Sequence, residues 1–93
     1  MTPQQIEELG YFEPRYIEGQ GWCALAPMMF TVGIACGLDP VGLRYRYCYT
    51  TASEARHALS TWNGEGHPPG SWIKRKGEGG DLINPAIATS HDR

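Results

Sequence analysis

Apolar positions are spaced differently in different parts of the chain, and each spacing predicts a different element. Ile6 and Leu9 lie on one side of a short segment that opens Thr2-Pro3-Gln4-Gln5. Thr2 is suited to cap a helix, Pro3 to its first position, and Gln5 to close a capping box. A helix of about two turns follows, stopped at Gly10. So short a helix is not stable alone in water and must dock on something. Tyr11 to Gly21, punctuated by Pro14, Gly19 and Gly21, reads as a connector. Its Tyr11, Phe12, Tyr16 and Ile17 imply that it is packed rather than free.

From Trp22 to Cys36 the chain is almost continuously apolar. Even positions Met28, Phe30, Val32, Ile34 and Cys36 are larger than odd positions Met29, Thr31, Gly33 and Ala35. That pattern predicts a strand over 28–36 with one face in a core and the other closely covered. Helix is the rival reading of a short apolar run. The β-branched residues and Phe30 favour a strand, and Gly33 weakens a helix. Gly37 to Gly42, around Asp39-Pro40, is a turn. Leu43 to Thr50 then alternates cleanly. Leu43, Tyr45, Tyr47 and Tyr49 take one face, and Arg44, Arg46, Cys48 and Thr50 the other. This strand forms an antiparallel hairpin with the one before it.

Thr51-Ala52-Ser53-Glu54 is a second capping box. It opens a helix over 52–62 with Ala52, Ala55, Ala58, Leu59 and Trp62 on one side and Glu54, Arg56, His57 and Ser60 on the other. Asn63-Gly64 ends it. After a loop holding Pro68 and Pro69, Ser71 to Lys76 predicts a short third strand at an edge, where lysines are suited. Gly77-Glu78-Gly79-Gly80 breaks that strand. The tail from Asp81 to Arg93 is weakly apolar around Leu82, Ile83 and Ile87. The predicted class is α+β: a small antiparallel sheet, a hairpin plus a short third strand, packed by one main helix. The N-terminal helix covers an edge or an end. The organisation is a single domain over 1–93, with helix and connector in 1–21, the core unit in 22–77 and a tail in 78–93.

A chain of 93 residues bounds this to one domain with a small core. Its 41% apolar and 19% charged residues lie in the globular range. The apolar run is broken by Pro27, Thr31 and Gly33 and is shorter than the roughly 20 residues of a membrane span. The N-terminus lacks the apolar region of a secretory signal, so a cytoplasmic location and no membrane partner are expected. Cys23, Cys36 and Cys48 are an odd number in apolar surroundings and read as reduced, buried thiols.

Charge is segregated. Residues 1–20 carry Glu7, Glu8, Glu13 and Glu18 against Arg15. Residues 44–76 carry Arg44, Arg46, Arg56, Lys74, Arg75 and Lys76 against Glu54 and Glu65. The middle of the chain thus predicts a basic face between acidic ends. A sequence pI near 5.8 speaks against a dedicated nucleic-acid binder.

No constellation of catalytic residues emerges. Gln20-Gly21-Trp22-Cys23 faintly resembles the surroundings of a papain-type cysteine. That chemistry needs a helix start and an imidazolium from His57 or His67. A strand removes the helix, and Cys23 reads better as a small buried hydrophobe. Cys48, His57 and His67 have ligand chemistry without ligand spacing, so no metal and no cofactor are expected. Gly77-Glu78-Gly79-Gly80 lacks the lysine and hydroxyl of a phosphate loop, and Glu78 would repel phosphate. The binding candidates are Arg44, Arg46, His67, Trp72, Lys74, Arg75 and Lys76. Tryptophan and arginine are the residue types that dominate protein interfaces. A nucleic-acid partner is the alternative, through Arg44, Arg46, Lys74, Arg75 and Lys76.

Over about residues 21–77 the chain resembles a family of small bacterial and phage proteins with no assigned activity. The residues that carry the resemblance are Trp22, Pro27, Phe30, Thr31, Gly37, Leu38, Asp39, Arg46, Tyr47, Cys48, Tyr49, Ala58, Leu59, Trp62 and Gly64. Asn63 stands where the family has aspartate, a mild change at a turn. The resemblance implies a shared fold unit and a mobile-element origin, and it brings no catalytic residue. The expected function is a small non-enzymatic module that binds a protein partner, a host protein or complex. Size and the family's habitat give one concrete form, a phage-encoded inhibitor of a host defence complex of the anti-CRISPR kind. A nucleic-acid-binding accessory protein comes second and a cysteine-dependent enzyme third.

Overall fold

A computed structural model describes residues 1–86. Its elements run α1 (Pro3–Glu8), β1 (Phe12–Ile17), β2 (Gly21–Pro27), β3 (Val32–Cys36), β4 (Tyr45–Tyr49), α2 (Ala52–Thr61), β5 (Lys74–Gly77) and β6 (Leu82–Ile83). The six strands form one antiparallel sheet in chain order. The class is α+β, as the hydrophobic pattern predicts, but the sheet is wider than a hairpin with one added strand.

Both helices start as their caps dictate. The Thr2 hydroxyl accepts from the Gln5 N–H, and the Gln5 side chain accepts from the Thr2 N–H. The Thr51 hydroxyl accepts from the Glu54 N–H at 3.2 Å. The Glu54 carboxylate accepts from the Thr51 hydroxyl instead of reaching the cap's backbone.

Three expectations need correction. The segment read as a connector is β1 and its turn. Its alternation is masked by a bulge, where Glu13 has φ 52° and the register to β2 shifts between Phe12 and Arg15. Pro14 is tolerated because β1 is an edge strand and owes no N–H to a second neighbour. The strand predicted over 28–36 is β3 over Val32–Cys36 alone, and the apolar residues before it form a separate strand, β2. The tip between them is closed by the Met28 N–H on the Thr31 carbonyl at 2.9 Å. Both strands are covered on both faces, so neither alternates strongly enough to reveal the turn. The third strand begins at Lys74 rather than Ser71 and is not an open edge along its length, because β6 pairs with Lys74 and Arg75. The expectation that α1 covers an edge or an end is met at β1, the edge strand that α1 packs against. The fully buried Ile6 of α1 packs on Ala24, Ala26, Ala35 and Leu38, on the face of the sheet. The predicted apolar tail contributes Leu82 and Ile83 to β6, while Ile87 lies outside the described residues.

Cross-strand partners share a face, which sorts the sheet into two sides. On the α2 side, Cys23 stands opposite Cys36, Leu25 opposite Ile34, and Ile34 opposite Tyr47. Ala55, Ala58 and Leu59 of α2 pack there with Tyr49, Trp62 and Trp72. Each large side chain so buried contributes about 1.5–3 kcal/mol. On the α1 side the central residues are small: Ala24 faces Ala35, and Ala26 faces Gly33. Small side chains let α1 lie close to the sheet.

The far end of α2 is tied to β1. Arg15 Nη1 donates to the Leu59 carbonyl and, at 2.9 Å, to the Trp62 carbonyl. These carbonyls otherwise end the helix without a backbone donor. Gly64 then passes so close to the β1–β2 turn that a Cβ there would lie 2.4 Å from the Glu18 carbonyl oxygen, and its φ is +92°.

Candidate binding face

The β4–β5 ladder puts Arg46 opposite Lys76 and Cys48 opposite Lys74. The β3–β4 ladder continues the same rows to Ala35 and Gly33. Arg46, Lys74 and Lys76 therefore stand together on the α1 side of the sheet. They wall a shallow trough with Cys48 beneath, and Met28, Thr31 and Ile73 close its hairpin end. No residue of α1 lines this trough. The local sequence explains the geometry. Strict alternation in β4 sends the tyrosines to the core and Arg46 to the other side. At Gly33 a Cβ would lie 3.3 Å from the Tyr47 carbonyl oxygen, a tight approach that glycine avoids.

The electrostatics of this row are unbalanced. The ion pairs among the described residues are Arg44 with Glu78 at 3.4 Å and Arg56 with Glu13 at 2.6 Å. Neither touches Arg46, Lys74 or Lys76. The Arg46 Nε is buried and has no hydrogen-bond acceptor among the described residues. Like charges directly opposite on neighbouring strands destabilise a sheet. At the hairpin tip beside the trough, Met29 is 87% exposed and Phe30 86% exposed.

The structure divides the residues singled out in the sequence. Arg46, Lys74 and Lys76 come together. Arg75 stands opposite Tyr47 on the other side of the sheet, with its guanidinium carbon 5.7 Å from the centre of the Tyr45 ring. Arg44 also lies over Tyr45, at 5.6 Å, and is neutralised by Glu78. Trp72 is only 3% exposed, and its ring meets those of Tyr47 and His67 at 5.0 Å each. It is a wall of the core rather than a surface anchor. His67 is exposed but fixed, its Nδ1 sharing a 2.8 Å hydrogen bond with the Tyr47 hydroxyl. Met28, Met29, Phe30, Thr31 and Ile73 complete the face and were not singled out. Their signal is a turn that must fall inside an apolar run too long for one strand.

Cys23, the candidate nucleophile, is fully buried in β2 opposite Cys36. A hydrogen bond from Cys36 holds the Cys23 thiol below its usual range, and the same bond with burial pushes Cys36 up. The pair lies in the core on the α2 side of the sheet. Cys48, His57 and His67 lie apart: below the trough, on the outer face of α2, and on the loop beside Tyr47. Burial pushes the hydroxyls of Tyr45, Tyr47 and Tyr49 above the ordinary tyrosine range. Among the described residues, no helix is long and apolar enough to cross a membrane.

No protein-family model, no curated protein and no solved structure matches this chain.

Proposed function

We propose that this chain is a small non-enzymatic protein-binding module that grips its partner with the basic trough and the β2–β3 hairpin tip. The observation that carries this reading is the row Arg46, Lys74 and Lys76, unpaired among the described residues, beside an exposed Phe30. Cationic residues around an aromatic anchor are what a protein hot spot needs, and uncompensated charge steers the approach of an acidic surface. An inhibitor encoded by a phage against a host defence complex is one concrete form of such a module, in keeping with its small size.

Nucleic acid is the second reading, favoured by an exposed Phe30 on the hairpin tip that closes a trough walled by three cations. Single strands bind sheets by stacking bases on aromatic floors. Here Tyr47 and Tyr49 are turned to the α2 side and buried, which leaves the basic face without such a floor. That contrast favours protein.

The test is affinity capture from nuclease-treated extract of the source cells, with wild type, Phe30→Ser and a Lys74→Glu/Lys76→Glu double variant. One stoichiometric protein kept by wild type and lost by both variants supports the reading. A partner that both variants retain contradicts it. Nucleic acid released steeply by salt promotes the second reading.

A further inference from the structure

We infer that the trough binds an extended acidic segment of a protein partner, with carboxylates at alternate positions and an apolar side chain two positions further on. The inference rests on the protein-binding reading above and names the chemistry of the partner. Lys74 and Lys76 are two residues apart on β5, so they leave the same face about 6.7 Å from one another. Alternate side chains of an extended peptide have the same spacing, so one carboxylate matches each lysine.

Arg46, directly across from Lys76, makes that end the stronger one. Its Nε is buried without an acceptor. The Nη groups of Arg46 make no hydrogen bond or ion pair among the described residues, and they present two parallel N–H donors, which a planar carboxylate accepts end-on. One carboxylate therefore falls between Arg46 and Lys76, and the next against Lys74. Beyond Lys74 the walls change character. Met28 and Ile73 close the trough toward the hairpin, and Phe30 stands exposed just past them. The third alternate position of the ligand is accordingly apolar. The charge row selects the acidic residues, and the apolar end sets their direction along β5.

The probe is a fluorescent synthetic peptide carrying leucine, glutamate and glutamate at alternate positions with threonine between. The control peptide has the same composition with its glutamates adjacent, and oligothymidine is the competing ligand. Anisotropy is read for wild type, Arg46→Met, Lys76→Met and Arg56→Met, with circular dichroism confirming that each is folded. Arg56→Met makes the same charge change on the far side of the molecule. The alternating peptide binds wild type more tightly than the control does. Arg46→Met and Lys76→Met each weaken it by at least about tenfold, and Arg56→Met leaves it unchanged. Equal weakening by Arg56→Met, equal affinity for both peptides, tighter binding of oligothymidine, or no peptide binding would overturn the inference. The two levels fail separately. A captured protein lost with Phe30→Ser while the peptide does not bind retains the module and removes the acidic ligand. Peptide binding without any captured protein removes the module reading.

Discussion

Arg46 and Lys76 face one another across the β4–β5 ladder, and neither forms an ion pair among the described residues. A sheet gains nothing from two like charges in that position. Sheet surfaces elsewhere in this molecule are treated differently: the α2 side buries tyrosines, and α1 covers small residues on the other side. The proposed function accounts for stability given up at this one place, where a trough and an exposed aromatic also meet.

Lys76→Glu turns this repulsion into a cross-strand attraction. The variant is expected to be more stable than wild type by about 0.2–1 kcal/mol in urea unfolding. The same change abolishes binding of the acidic peptide. A variant that is less stable, or that still binds, contradicts the account of the row.

Arg15→Met strips the Leu59 and Trp62 carbonyls of their donor while keeping much of the side chain's bulk. The expected cost is about 1–3 kcal/mol, the penalty of leaving partly buried acceptors unsatisfied. Urea unfolding measures it. A loss below about 0.5 kcal/mol, the scale of ordinary surface changes, would show that α2 does not depend on β1 for its end.

Gly64→Ala meets two obstacles at once. Its Cβ would lie 2.4 Å from the Glu18 carbonyl oxygen, and its φ of +92° disfavours any side chain. A loss of more than about 2 kcal/mol is expected by thermal or urea unfolding. Gly66, with φ +60° but no atom near its missing Cβ, is the comparison. Gly66→Ala costs less, and equal losses would show that conformation alone matters.

Alkali tests the tyrosine face. Tyr45, Tyr47 and Tyr49 ionise above the ordinary value of 10.0 because they are buried. In the unfolded chain they lose protons first, so unfolding releases protons and stability falls as pH rises. Their contribution is complete below about pH 10 and is lost as pH climbs toward their folded values. Tyr49→Phe removes one such group along with the 2.7 Å hydrogen bond to the Pro69 carbonyl. It is expected to be less stable than wild type near neutral pH and to lose less stability between about pH 9 and 11. Parallel curves for the two proteins would contradict the assignment.

The legible parts of this fold are those where one physical signal acts alone. The caps at Thr2 and Thr51 and the tyrosine alternation of β4 give local instructions that the tertiary structure obeys. β1 was hidden because the Glu13 bulge and Pro14 break its period. The β2–β3 turn was hidden because helices cover both faces of those strands and erase the polar side that would mark it. The basic row was half legible. Arg46, Lys74 and Lys76 are basic positions in strands, but the strand parity of β5 decides which basic residues meet. With Lys74 opposite Cys48, Arg75 must turn to Tyr47 and away from the row. Trp72 looked like an anchor by type, and only its packing against Tyr47 and His67 shows it to be core.

The most direct test of the basic face is a chemical-shift titration of the isotope-labelled chain with the alternating acidic peptide. Shifts concentrated at Arg46, Cys48, Lys74, Lys76 and the Met28–Thr31 tip, with α2 unaffected, are the predicted result. Shifts centred on α2 or around Tyr45 and His67, or none at saturating peptide, would contradict it.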